Sequence, residues 1–377
     1  MITEARLTVA DLKARAVDVE MERPVQTAAG QVATALMVLI DLRTDEGITG
    51  RSYVRSYATF ALEPLRRLVE NLGAALVGDA LAPLEIDRKL QGMFRLLGPQ
   101  GLTGIAASGI DMAAWDALAK ANGLPLVKLL GGAKMEVPAY GSLRSMRSES
   151  VVEEARELSE MGFDAYKVKI GHGGIGADLE TIGALRGVIG EGAKLAVDYN
   201  QSLSVTGALE RARILDGEGL WWIEEPTRAD DFEGHARIAE EARTSICIGE
   251  NWWGPHDVAK SLEAGACDYG MPDAMKIGGV TGWLRAAALA ESSGLPLTSH
   301  VFPEISTHLL AVSPTAHRLE YLDHASPILK EPVRIENGNA LVPAGPGIGL
   351  EWDEEAIGRY LYTPEHDKEL RNQSHQR

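Results

Sequence analysis

Cysteine is nearly absent: Cys247 and Cys267 are the only two in 377 residues. Their spacing suits neither a disulfide framework nor a cysteine-ligated zinc site. No apolar run approaches the ~18 residues of a membrane span. The first residues, Met1 to Ala10, lack the apolar stretch of a signal peptide, so a reduced, cytoplasmic protein without a membrane partner is expected. Basic residues are outnumbered, with 37 Lys and Arg against 54 Asp and Glu and a formal net charge of -17. Nucleic acid is thereby an unfavourable partner, because phosphate recognition needs a basic face. Aromatic residues make up only 6%. Also missing are a His-Glu-x-x-His pair and a Gly-x-Ser-x-Gly elbow, and Gly171–Gly176 lacks the Lys-Ser/Thr that completes a phosphate loop.

What is present is an ordinary globular balance, 45% hydrophobic and 24% charged. The length allows a barrel of roughly 250 residues and a smaller partner domain. Near the N-terminus, 35–42 and 48–54 are β-rich runs around the turn Thr44-Asp45-Glu46-Gly47, which predicts a hairpin. Helical patterns follow at 60–77, 84–97 and 103–121. From Val137 the pattern changes. Short strand-like runs begin at 137, 165, 194, 220, 245, 267, 295 and 318, with helical segments filling the gaps. Eight strands alternating with helices predict a parallel α/β barrel. Beyond about residue 326 two short strands are expected around Asn337-Gly338, in a segment that packs back on the N-terminal unit.

Polar residues stand at the C-terminal ends of these strands, where barrels build their sites. Strand two ends in Lys167-Val168-Lys169, which puts both lysines on one face. Asp198, Glu224 and Glu250 end the next three strands at equal spacings of 26 residues. Equal spacing sets them side by side, and three crowded carboxylates need a cation. Oxygen ligands favour Mg2+, with Mn2+ as a substitute. That ion would also supply the positive charge that an acidic protein needs to bind an acidic substrate. Two neighbouring lysines should lower each other's pKa, which makes Lys169 the candidate base and Lys167 the neighbour that touches the carboxylate. Asp273 and His300 end strands six and seven. On adjacent strands the aspartate would fix the imidazole tautomer, giving a second acid/base opposite Lys169. The other histidines, including His308, His317 and His324, are expected in solvated or core roles.

At these residues the chain resembles the enolase superfamily, in its mandelate racemase-like group. The likeness extends through Val197–Leu203, Trp222–Thr227, Gly249–Trp252 and Met271–Trp283. It implies a modified (β/α)7β TIM-type barrel with an N-terminal α+β capping domain completed by the C-terminal segment, divided as 1–135, 136–325 and 326–377. It also implies Mg2+ on Asp198, Glu224 and Glu250, and proton transfer by Lys169 and His300 on opposite faces of a carbon. Glu320 would then be an acid that hydrogen-bonds the substrate carboxylate, Ser142 a second contact to that carboxylate, and Asn200 a neighbour of the metal site. A small carboxylate substrate and a homo-oligomer, an octamer by resemblance, complete the expectation. Racemisation of a 2-hydroxy acid leads, with acid-sugar dehydration by the same lysine and histidine as the alternative and a non-catalytic binding protein last. Val25, Val32 and Tyr57 match apolar and aromatic cap positions of the group. Arg55 departs from it. It is either a surface arginine or a substrate contact that favours a polar or second anionic group over a bare phenyl ring.

Overall fold

The computed structural model describes residues 7–27 and 30–363. The N-terminal unit is an antiparallel meander of Val9–Thr27, Gly30–Thr44 and Thr49–Ser56. The last two strands form the expected hairpin, paired from Leu36↔Ser56 to Arg43↔Thr49. The first, 19 residues long, was not anticipated. Asp11, Lys13 and Arg15 alternate with Leu12, Ala14 and Ala16 as in a half-buried strand, and its place is set by pairing along the second strand. The helices Thr59–Ala74, Pro83–Met93 and Leu102–Ala121 follow. The third is buried on nearly every side. Its small residues allow close approach: a Cβ at Gly50 would stand 2.0 Å from the Ala113 carbonyl oxygen and 2.7 Å from the Ala117 Cβ.

The parallel ladder begins at Glu136–Ser142 and runs through Ala165–Lys169, Lys194–Asp198, Trp222–Glu224, Ser245–Ile248 and Tyr269–Gly270. The expected seventh strand is reduced to single bridges, Gly270↔Leu297, Asp273↔His300 and Leu297↔Ala316. Leu319–Tyr321 then pairs in parallel with Ala139–Gly141 and closes the ring. Hydrophobic side chains fill the ring and its contacts with the helices; Val168, Val197 and Leu195 are fully buried.

The C-terminal segment divides between two hosts, where packing on the N-terminal unit alone was expected. Ile335–Glu336 and Asn339–Leu341 form a hairpin. Its turn residues Asn337 and Gly338 have φ of 50° and 72°, a left-handed pair that this dipeptide tolerates. The hairpin joins the first barrel strand, through Asn339↔Pro138 and Leu341↔Glu136. Further on, the chain returns to the N-terminal sheet. Trp352 Nε1 donates to Asp41 at 2.9 Å, Arg15 pairs with Glu354, and Leu361 bridges Val17.

Candidate active site

The strand ends assemble one buried polar cluster. Asp198, Glu224 and Glu250 each offer an oxygen within 4.8 Å of the others. The adjacent registers Lys169↔Asp198 and Asp198↔Glu224 explain why equal sequence spacing became lateral contact. Asn200 braces Asp198 twice, through its backbone N–H at 2.7 Å and Nδ2 at 2.9 Å, while its own Oδ1 is buried without a partner among the described residues. Three oxygen donors beside a spare amide oxygen fit a hard divalent ion. Burial first, then the charges of Asp198 and Glu320, push the Glu224 carboxyl well above its usual range despite Lys167. A cation in the triad is the natural remedy for that crowding.

Both lysines enter this cluster. Lys167 is 1% exposed, and its Nζ stands 2.6 Å from Glu224, 2.6 Å from Glu320 and 4.0 Å from Asp198. Its pKa therefore moves opposite to the sequence expectation. Burial lowers it, but Glu224 and Glu320 outweigh burial and hold the ammonium well above its ordinary value. Like-charge repulsion loses because the two carboxylates lie closer than any second cation. Lys169 Nζ lies 3.4 Å from Asp198. Glu320 takes the Val301 N–H at 3.0 Å. Against the cost of burial, Lys167 chiefly, with His300 and Lys169, brings its pKa down to about 2, so with these partners it is a carboxylate.

His300 borders a different ligand of the triad from Lys169. Its Nδ1 is 2.6 Å from Asp273, whose second oxygen is fixed by the Met275 N–H at 2.7 Å. Its Nε2 points at Glu250, 3.3 Å away. Among the described residues, five of the six non-glycine residues with positive φ flank these groups: Asn200, Gln201, Glu225, Val301 and Phe302. Backbone strain of this kind collects at sites where side-chain direction matters more than local comfort.

Several neighbours escaped the sequence reading. Glu225 is buried and receives both of its close contacts from Asn251 Nδ2, at 3.0 and 2.9 Å, while the same amide reaches Glu250 at 3.1 Å. Lys276 donates to Asn251 Oδ1 at 2.7 Å. The second glutamate of Trp222–Thr227 and the lysine three residues after Asp273 were the available signals. Arg55 is no surface residue. It is 7% exposed and its Nη1 lies 3.2 Å from Nδ1 of His324, which burial and nearby cations hold well below its usual pKa. Ser142 sits at the end of the first barrel strand, buried, with no partner for its hydroxyl among the described residues. Val25 and Val32 oppose each other across the cap hairpin, the first buried and the second 41% exposed. Tyr57 is half-exposed beneath Arg55 and Lys276.

Comparison with known proteins agrees with this architecture. Residues 10–131 match the mandelate racemase/muconate lactonizing enzyme N-terminal domain, and residues 150–356 match the enolase C-terminal domain-like family. The chain belongs to the enolase superfamily, in its mandelate racemase-like group of enzymes. Members of the superfamily bind Mg2+, which this donor set fits. A magnesium- and mandelic acid-bound enolase from Bradyrhizobium is 44% identical, with a TM-score of 0.92 over 96% of this chain and 100% of that one. The 3,6-anhydro-alpha-L-galactonate cycloisomerase of Streptomyces coelicolor is 32% identical over 86% of this chain and 91% of its own length. An L-talarate dehydratase from Polaromonas, complexed with Mg and L-glucarate, is 28% identical with a TM-score of 0.85, over 95% and 98% of the two chains.

Proposed function

We propose that the protein abstracts the α-proton of a 2-hydroxy carboxylate with Mg2+ held by Asp198, Glu224 and Glu250, and that it returns the proton to the same carbon as a racemase. One observation carries the reading: two basic side chains, Lys169 and His300, border the same carboxylate triad from different ligands, 3.4 Å from Asp198 and 3.3 Å from Glu250. Mg2+, when bound, supplies concentrated positive charge where the substrate carboxylate gains its second negative charge. One pair of unit charges about 4 Å apart is worth roughly 4 kcal/mol at an effective dielectric of ~20.

The chain's own groups do the rest. Lys167, held charged, faces the carboxylate and stabilises charge that develops there. A substrate carboxylate competing for Lys167 weakens the ion pair with Glu320, which raises the glutamate's proton affinity and lets it hydrogen-bond the substrate as an acid. Ser142 offers its unpartnered hydroxyl to the same carboxylate. Lys169 Nζ takes the proton from one face. His300 Nε2 delivers or takes it at the other, because Asp273 accepts a hydrogen bond from Nδ1–H and so turns Nε2 toward the triad, 3.3 Å from Glu250. Dehydration is the second reading, favoured by the dehydratase and cycloisomerase names of relatives; there His300 would protonate a leaving hydroxyl. The division of the chain at 135 and 325 and an octameric homo-oligomer belong to the same reading, and light scattering tests the latter.

Proton NMR in D2O with Mg2+ decides between them. Exchange of the α-proton of both enantiomers of a 2-hydroxy acid, without a new product, supports racemisation. Conversion of an acid sugar into a 2-keto-3-deoxy acid without return of starting material supports dehydration. No exchange with any 2-hydroxy acid overturns the proposal.

A further inference from the structure

The two candidate bases are held in place by different parts of the molecule. Lys169 ends a strand paired at five successive positions, from Ala165↔Lys194 to Lys169↔Asp198. The loop that follows is tied to the barrel as well. The Gly171 N–H donates to Asp178 at 3.0 Å, and the Tyr199 hydroxyl donates to the same carboxylate at 2.8 Å. Arg211 pairs with that carboxylate and donates to the Gly173 carbonyl at 2.9 Å. Among the described residues no hydrogen bond or ion pair joins 165–178 to residues 9–26 or 30–131.

The Asp273–His300 pair has no such ladder. Its strands are single bridges. Val301 and Phe302, directly after the histidine, stand at φ of 40° and 48°, a left-handed backbone that surrounding packing must hold. Part of that packing crosses the seam between cap and barrel. Tyr53 sets its ring 5.0 Å from that of Phe302 and donates its hydroxyl at 2.8 Å to Glu304, in the first turn of the helix Pro303–Val312. The Arg55 N–H reaches the Met275 sulfur at 3.0 Å.

Asp111, in the cap helix Leu102–Ala121, makes the closest of these ties. It accepts from the Thr281 N–H at 3.0 Å and from the Thr281 hydroxyl at 2.5 Å. Trp115, one turn on, donates to that hydroxyl at 2.9 Å. Thr281 lies in the first turn of the helix Gly279–Ser293, which starts at Gly278 and has no side-chain hydrogen bond from that residue. A carboxylate there satisfies an otherwise orphaned N–H and suits the helix dipole. The approach requires glycine: at Gly279, with φ of 68°, a Cβ would stand 2.4 Å from Asp111 Oδ2. The turn before this helix closes on Asp273 itself. The Met275 N–H bonds its carboxylate at 2.7 Å, and the Lys276 and Ile277 N–H groups bond its carbonyl at 3.0 and 2.8 Å. A shift at the start of the helix is therefore passed to the aspartate that orients His300.

We propose that the cap positions the His300 arm and leaves the Lys169 arm to the barrel. Asp111 and Tyr53 are positioning residues for Asp273 and His300, so the seating of the cap governs proton transfer at the histidine's face and not at the lysine's. The inference rests on the α-proton reading for the roles of the two bases.

Two measurements on full-length, Mg2+-loaded protein test it, each with Asp111→Asn and with Tyr53→Phe. Asparagine has one acceptor oxygen where Thr281 engages two, and phenylalanine keeps the ring on Phe302 while dropping the hydroxyl. Amide hydrogen exchange, read by mass spectrometry, should rise in peptides covering 273–283 and 300–306 and stay at the wild-type rate in 165–178. In D2O, α-proton exchange of the two mandelate enantiomers is assigned to the two faces by Lys169→Ala and His300→Asn. It should fall about 10- to 100-fold at the histidine's face and change less than about twofold at the lysine's. A general loss of stability would move both arms together. An equal effect on both arms in either measurement, or none on the His300 arm, overturns the proposal. Each variant suffices alone, so one that folds poorly leaves the other to decide. Wild-type protein that exchanges neither enantiomer counts against the α-proton reading with mandelate, and amide exchange then decides this inference by itself.

Discussion

Two regions of the barrel mouth handle buried charge in opposite ways. In the reaction centre each basic group has a carboxylate beside it: Lys167 has Glu224 and Glu320, Lys169 has Asp198, and the His300 ring has Asp273 and Glu250. At the seam Arg55, Arg144 and Lys276 meet a neutral imidazole, an aromatic face, carbonyl oxygens and sulfur. The barrel strands set the first region, and a parallel register leaves little freedom in which side chains meet. The second forms where the cap edge lies over the barrel, as in the bond from the Arg55 N–H to the Met275 sulfur. Charges matched within a scaffold read as built-in chemistry.

The contrast can be broken by removing one member at a time. The largest effect is expected in the reaction centre. Lys169→Ala should lower α-proton exchange of one enantiomer by about 10² to 10⁴, and His300→Asn should do the same to the other, both read by NMR in D2O. Equal loss for both enantiomers in both variants would merge the two bases into one.

Stability separates the regions next. Lys167→Met leaves Glu224 and Glu320 buried without their cation and should cost about 3–5 kcal/mol in urea melts, partly restored by Mg2+. A cost below about 1 kcal/mol would mean that the ion pairs do not hold the centre together.

An intermediate effect is expected at Glu304, buried against Tyr53 with a pKa of about 7 against an ordinary 4.5. The folded state binds a proton more tightly than the unfolded one, so stability falls as pH rises from about 4.5 to about 7. The full shift corresponds to about 3 kcal/mol. Glu304→Gln should flatten that slope in melts across this window. An unchanged slope would assign the pH dependence to other groups.

The smallest effect is expected at the seam itself. Arg55→Met removes a charge with no carboxylate to strand, only the neutral ring of His324, and stability should change by less than about 1 kcal/mol, or rise. A loss like that of Lys167→Met would erase the difference between the regions.

Much of the centre was legible because it depends on strand periodicity. Alternation put Lys167 and Lys169 on one face, and repeating strand lengths lined up Asp198, Glu224 and Glu250. The same logic paired Asp273 with His300, although their strands survive only as single bridges. Periodicity gave no account of Glu225, Asn251 and Lys276, which act as a chain of hydrogen bonds across three strand ends. The opening strand was legible in the alternation of Asp11, Lys13 and Arg15 with Leu12, Ala14 and Ala16, and was passed over.

The sequence by itself determined the alternation of strands and helices, the order of polar strand ends and the oxygen-rich donor set, because these follow from local periodicity and residue chemistry. Only the tertiary structure decided which way the Lys167 pKa moves, since that depends on Glu224 and Glu320, 57 and 153 positions away. It alone buried Arg55 against His324, 269 positions on. Burial and charge partners are properties of how distant segments pack, and no local pattern encodes them.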